Sequence, residues 1–254
     1  MFSLAPDPQS ILFVVIGAFV AGFVTGFAGF GTGLVASGFW FHVLPAPLVP
    51  PLVVLGSVAG QLTSFQIVRK SFDWQRVTPF LIGGALGVPL GVLALAHTTP
   101  SSLRLVIGIL LMTYSALQLS GFAGIRISPR VNRNHDAAIG LGAGILGGFA
   151  GLSGLLPLIW LQLKGGASDM QRAIYQPFNL VILSAAGVVM LIAGQITPEI
   201  LIIAMLCLPA TITGAFIGAR MYKRVSERWF RVVVLTLLLA SGLMLIVQTL
   251  FERG

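Results

Sequence analysis

Gly26-Phe27-Ala28-Gly29-Phe30-Gly31-Thr32-Gly33 is written a second time, with small changes, as Gly148-Phe149-Ala150-Gly151-Leu152-Ser153-Gly154. Working outward, Gly87-Val88-Pro89-Leu90-Gly91 returns as Gly214-Ala215-Phe216-Ile217-Gly218. Leu103-Arg104-Leu105-Val106 returns as Phe230-Arg231-Val232-Val233. The chain is therefore a duplicated unit, and the charges around the two copies are reversed. Two membrane halves inserted upside down relative to each other are a transporter signature.

The first copy sits in a stretch, residues 8–68, without Lys, Arg, Asp or Glu. One span needs about 20 apolar residues, so this stretch holds more than one, and the chain belongs in a bilayer. Apolar segments follow at residues 52–68, 77–96 and 103–121, and a Pro-rich turn (Pro45, Pro47, Pro50, Pro51) precedes them. A polar linker then carries Arg126, Arg130 and Arg133. The second half repeats the plan at residues 137–163, 174–193, 200–219 and 232–251. All read as helices, because irregular backbone exposed to lipid leaves its polar groups unpaired and no alternating barrel pattern is present.

Charge decides the topology. The net charge is +8, but the cations lie in short loops, where they fix orientation. No basic run with interleaved aromatics exists, which argues against nucleic acid as a partner. If every segment crossed once, the basic stretch 220–231 would fall opposite the basic loops 69–76 and 126–133. If instead residues 137–163 enter the membrane and return, Arg69, Lys70, Arg76, Arg126, Arg130, Arg133, Lys164, Arg172, Arg220, Lys223, Arg224, Arg228 and Arg231 share one side. By the repeat, residues 11–41 form the same re-entrant hairpin from the other side, each limb reaching about half way.

The expected fold is all-α and polytopic: two inverted-topology repeats, each a broken, re-entrant Gly-rich helical hairpin plus three transmembrane helices. Residues 1–254 form one transmembrane domain, with repeat 1 at 11–121, a cytoplasmic linker at 122–136 and repeat 2 at 137–251. An odd number of crossings per half inverts the second and leaves both termini outside. The first cation is Arg69, so no basic leader region precedes the first hydrophobic stretch, which is expected to be retained. Trp40 and Trp160, at the hairpin ends, read as interface anchors.

A half-helix that starts inside the membrane presents unpaired N–H groups and the positive end of its dipole. Two such ends from opposite sides would make an anion site. Candidate substrate-binding residues at the two motifs are Gly29, Gly31, Thr32, Gly33, Gly151, Ser153 and Gly154. Thr32 and Ser153 are suited to cap the returning helices or to meet the ligand. Gln61 and Thr63, after the first hairpin, and Tyr175, Gln176 and Asn179, after the second, could add neutral donors; Arg172 could meet an anion at the cytoplasmic mouth. The competing reading is structural. Glycines spaced by four, such as Gly22/Gly26, Gly83/Gly87/Gly91, Gly140/Gly144/Gly148 and Gly214/Gly218, allow close helix packing, and amides can act as interhelical glue.

Over nearly the whole chain the sequence resembles the sulfite exporter TauE/SafE family, also called the sulfur-anion transporter (TSUP) family. The two Gly-rich motifs opening matched repeats carry the resemblance, together with Gln171-Arg172-Ala173-Ile174-Tyr175-Gln176-Pro177-Phe178-Asn179. The first motif lacks the proline often found after it in the family; the second keeps Pro157. The resemblance implies a bacterial inner-membrane permease, usually an exporter, for sulfite, thiosulfate, sulfoacetate or related organosulfonates. The expected function is secondary anion transport by alternating access, with the lipid bilayer and a small sulfur oxyanion as partners; a homodimer is compatible with the sequence. Nothing calls for a cofactor: Cys207 is alone, no acid lies inside an apolar segment, and no Walker-type loop is present. Two rivals remain. Gly151-Leu152-Ser153-Gly154 fits the nucleophile motif of a rhomboid-like intramembrane serine protease, but His42, His97 and His135 lie at loop edges, away from where a base is needed. An anion channel would need a continuous polar path.

Overall fold

A computed structural model describes residues 8–68, 74–121, 133–222 and 227–251. The loop cations Arg69, Lys70, Arg126, Arg130, Lys223 and Arg224 lie outside the described residues, as does most of the linker, and the Arg228 and Arg231 side chains are likewise not described. The described residues form α1 (Pro8–Ala28), α2 (Thr32–Trp40), a 3-10 turn (Ala46–Leu48), α3 (Val49–Val68), α4 (Trp74–Ala96) and α5 (Pro100–Leu119). The second half supplies α6 (Arg133–Ala150), α7 (Leu155–Lys164), α8 (Ser168–Ile192), α9 (Pro198–Met221) and α10 (Glu227–Phe251). Seven of these are long and apolar enough to cross a membrane: α1, α3, α4, α5, α8, α9 and α10.

Both Gly-rich stretches break. The first stops at Gly29, where φ is +80°, and restarts at Thr32 after Gly31 at φ +111°. The second stops at Gly151, with φ +71°, and restarts at Leu155. A side chain in that backbone region is strained, so glycine fixes both break points. Each chain then folds back on itself. The Trp40 indole Nε1 donates to Val14 O at 3.0 Å, and Trp160 Nε1 donates to Asp136 Oδ1 at 2.7 Å. Trp40 is 1% exposed. It closes the first hairpin rather than anchoring an interface, which corrects the sequence expectation.

The limbs are also unequal, contrary to the half-way expectation. At 1.5 Å per residue, α1 is about 31 Å long and α6 about 27 Å, whereas α2 and α7 reach only about 14 and 15 Å. Helix α6 is already formed at Arg133, four residues before the expected boundary, because Asp136 is drawn inside by Trp160 and by Lys164, whose Nζ is 2.7 Å from Oδ1. Helix α8 likewise starts at Ser168 rather than at residue 174. Pro50 and Pro51 fall in the first turn of α3, where a missing N–H is harmless.

The halves interlock. Helix α1 packs along α9, and α6 packs along α4. A Cβ on Gly22 or Gly26 would strike the Thr211 or Ala215 carbonyl of α9; one on Gly214 or Gly218 would strike Phe19 or Phe23 of α1. Gly83, Gly87 and Gly91 of α4 meet Ala137, Leu141 and Ile145 of α6 in the same way, and Gly140, Gly144 and Gly148 return the contact. Without a hydrophobic drive inside lipid, this backbone approach supplies the dispersion energy that joins helices. Helices α3 and α8 pack on each other at the centre, and α5 packs on α10. The outer faces of α4 (Ile82, Leu86, Leu90, Leu93) and α9 (Ile202, Met205, Leu206) are exposed apolar surface, as a lipid contact requires.

Candidate anion site at the hairpin tips

The two breaks meet. A Cβ on Gly33 would lie 2.6 Å from the Gly151 carbonyl oxygen. Between the tips lies a cavity of about 20 Å³, lined by Gly31, Thr32 and Gly33 from one hairpin and by Gly151, Ser153, Gly154 and Leu155 from the other. Helix α2 begins at Thr32 and α7 at Leu155, so two helix N-termini open on one space. The N-cap residues are Gly31 and Gly154, and neither makes a side-chain cap. In α2 the N–H groups of Thr32, Gly33 and Leu34 are left to whatever enters; in α7 the Leu155 N–H is taken by Leu152 O at 3.3 Å and Pro157 has none, which leaves that of Leu156, and each dipole places roughly +0.5 of a charge there.

Polar side chains complete the wall. Gln61 and Ser57 come from α3, one turn apart, and Asn179 from α8. Ser153 Oγ donates to Asn179 Oδ1 at 3.0 Å. Thr32 Oγ1 pairs with Thr25 Oγ1. Neither hydroxyl caps its helix, which corrects the capping expectation. Ser153 pairs with an amide rather than an imidazole: His42 bonds Gln248 and Ser241, His97 bonds its own helix, and His135 stacks on Trp160. The geometry therefore gives Ser153 no base.

Arg172, Tyr175 and Gln176 do not line the tip cavity. The last three carbonyls of α1 and that of Gly29 just beyond it are each met by a side chain. Arg172 Nη2 donates to Gly26 O at 3.0 Å and Nη1 to Phe27 O at 3.2 Å. The Tyr175 hydroxyl donates to Ala28 O at 2.6 Å, and Gln61 Nε2 to Gly29 O at 3.1 Å. These are the four orphan acceptors of a helix C-terminus, and the cation also complements the negative end of the dipole. Gln176 accepts from Arg172 Nε at 3.0 Å and donates to Ser64 Oγ at 2.7 Å. Arg172, Tyr175 and Gln176 thus hold the tip in place from behind. Thr63 turns its hydroxyl back to Ala59 O and lines none of the cavities described here. Ser57, which the sequence reading missed, was findable: it lies four residues before Gln61 and so shares its helix face.

Two larger cavities lie at the end of the bundle where α5 stops and α6 begins. One, of about 310 Å³, reaches Phe30, Gly31 and Leu34 of the tip and is lined by Arg172, Tyr175, Tyr114 and Gln118. Phe30, which packs edge-on against Tyr114 and Tyr175, also lines the tip cavity and so stands between the two. The other, of about 530 Å³, carries Arg76, Arg133 and Lys164 with Asp136, and shares Gly165, Gly166 and Gln171 with the first.

Residues 14–245 match the sequence model of a family described as "Sulfite exporter TauE/SafE". The chain is also similar to "Probable membrane transporter protein y4hK" of Sinorhizobium fredii (strain NBRC 101917 / NGR234). It is 28% identical to that protein over 244 residues, covering 92% of this chain and 95% of the relative. No solved structure matches the chain.

Proposed function

Because the chain belongs to the sulfite exporter TauE/SafE family of membrane transporters, we propose that it is a secondary exporter of small sulfur-containing anions by alternating access. Sulfite, thiosulfate, sulfoacetate and other organosulfonates form the substrate class, and the tip cavity is the site. The convergence of two uncapped helix N-termini on one polar cavity carries this reading. An anion there receives backbone N–H groups and two dipole ends, together with the hydroxyl and amide donors of Ser57 and Asn179, without a fixed charge inside lipid.

The cavity as it stands holds about one water. A sulfur oxyanion therefore fits only when the tips separate at the Gly33–Gly151 contact. The tips belong to different halves, and each hairpin is packed against the opposite half. Rocking one hairpin, with the opposite-half helices that grip it, against the other hairpin and its own grip separates the tips. The helix contacts are matched under exchange of halves, with α1–α9 and α3–α9 mirrored by α6–α4 and α8–α4. This supports two inverted repeats, each a hairpin plus three crossings, with both termini on the outer side of a bacterial inner membrane. Arg76, Arg133 and Lys164 then face the cytoplasm, as the positive-inside rule asks, and raise the local anion concentration at the mouth. Phe30 is the thin wall between vestibule and tip cavity.

The test is uptake into proteoliposomes of sulfite, thiosulfate, sulfoacetate, taurine and sulfate. Saturable flux with counterflow of at least one sulfur anion is expected. Absence of saturable flux for all of them overturns the reading.

A further inference from the structure

Two polar side-chain atoms at the tip cavity find no partner in the protein: Ser57 Oγ and Gln61 Oε1. Both residues are 2% exposed. Gln61 cannot exchange its amide ends, because Nε2 is held by the Gly29 carbonyl at 3.1 Å, the last of the four capped acceptors at the end of α1. Its oxygen is therefore a fixed acceptor. Ser57 can donate, and so can Asn179, whose oxygen already accepts from Ser153. The site thus presents donors together with one acceptor that requires a hydrogen from the ligand. A fully deprotonated oxyanion has only acceptor atoms and meets Gln61 Oε1 oxygen against oxygen.

Charge points the same way. Among the described residues, no titratable side chain lines the tip cavity. The charged or titratable groups nearest on α8, Arg172 and Tyr175, are bonded to α1 carbonyls. The positive ends of α2 and α7 meet the negative ends of α1 and α6 at the same two breaks and offset them, which leaves the Arg172 cation, about one elementary charge in all. That balances a monoanion and leaves a dianion short by about one charge.

We propose that the species bound at the tips is a singly charged oxyanion carrying its own O–H or N–H donor, hydrogensulfite rather than sulfite, and that Gln61 selects it. The selection rests on the tip cavity being the substrate site. The anion takes its proton from water before it binds and returns it on the far side, so no protein group need titrate during the cycle.

The experiment is sulfite flux in proteoliposomes at constant total sulfite and varied pH, with two competitors. Methanesulfonate is a monoanion without a donor; hydroxymethanesulfonate is a monoanion with one. The wild-type rate should follow the hydrogensulfite fraction, falling about tenfold per pH unit once that form is depleted. Hydroxymethanesulfonate should compete about tenfold better than methanesulfonate. Gln61→Met should remove that preference while methanesulfonate still competes. If Gln61→Met does not fold, having lost the Gly29 cap, the two competitors on the wild type decide the matter. Flux that rises with the dianion fraction, or equal competition by the two sulfonates, overturns the selection while leaving the transporter reading intact. Absence of saturable sulfite flux would overturn the substrate assignment, and this inference with it.

Discussion

The guanidinium of Arg172 donates to the carbonyl of Gly26 at 3.0 Å, joining α8 of the second half to the last turn of α1 in the first. Its other terminal nitrogen takes Phe27 O, and the plane lies over the Tyr222 ring, 4.8 Å from the centroid. One side chain, 3% exposed, thus fixes where the first tip ends. Removing it strands two buried acceptors. Arg172→Ala should lose about 3 kcal/mol of stability and should abolish transport, read by thermal unfolding in detergent and by flux. Arg172→Lys should recover only part of either, since an ammonium cannot reproduce the planar fork. An unchanged melting temperature for Arg172→Ala would show that the cap carries no weight.

Gly33 marks the closest approach of the two tips. Gly33→Ala drives a methyl into the Gly151 carbonyl, 2.6 Å away, so the tips cannot close as they do here. Transport should fall at least tenfold, because a misplacement on the order of 1 Å at a positioned site is costly. Gly187→Ala is the control. Its Cβ would meet Val54 at an ordinary 3.5 Å inside α8, and Ala is the better helix former by about 1 kcal/mol. Flux should survive there, with stability equal or higher.

Ser57 carries an unpartnered hydroxyl into the tip cavity. Ser57→Ala removes a buried polar group that the protein itself does not satisfy. Stability should hold or rise by about 1 kcal/mol, while KM for the transported anion rises about tenfold, the value of one hydrogen bond to a charged ligand. A stable variant with unchanged KM would place the anion away from α3.

His42 lies outside the spanning segments, between α2 and the 3-10 turn, where Nδ1 faces Gln248 Oε1 at 3.3 Å and Nε2 faces Ser241 Oγ at 3.1 Å. Burial pushes its pKa below the usual 6.5; the Gln248 hydrogen bond opposes this and Arg104 adds to the lowering. The folded protein then binds fewer protons than the unfolded chain. This contribution to stability is present above pH 6.5 and is lost as pH falls through the lowered value. Melting temperature should drop between neutral and mildly acidic pH, and His42→Gln should flatten that drop. An identical slope in the variant would place the acid sensitivity elsewhere.

Much of this was legible in the sequence. The breaks at Gly29 and Gly151 announce themselves as glycine clusters in stretches too long for one span, and the four-residue glycine spacing foretells close packing. Which helices pair was not legible. The glycines of α1 find α9 and those of α4 find α6, a choice made by tertiary assembly rather than by any one helix's pattern. Helix starts are not legible where charge reads as loop: Asp136 and Arg172 are both buried inside helices because each finds partners across the fold. The tip residues themselves were mostly named. That Arg172, Tyr175 and Gln176 also brace the first tip is not legible, because an orphaned helix C-terminus, which needs donors as much as an anion does, cannot be seen until the break is built.

The most direct measurement is a structure determined at saturating sulfite, at a pH where hydrogensulfite is abundant. The anion should lie between the first turns of α2 and α7, with backbone N–H groups of both helices and Ser57 or Asn179 within hydrogen-bond distance and the Gly33–Gly151 contact opened. An anion bound elsewhere, with the tips still touching at saturation, would contradict the account.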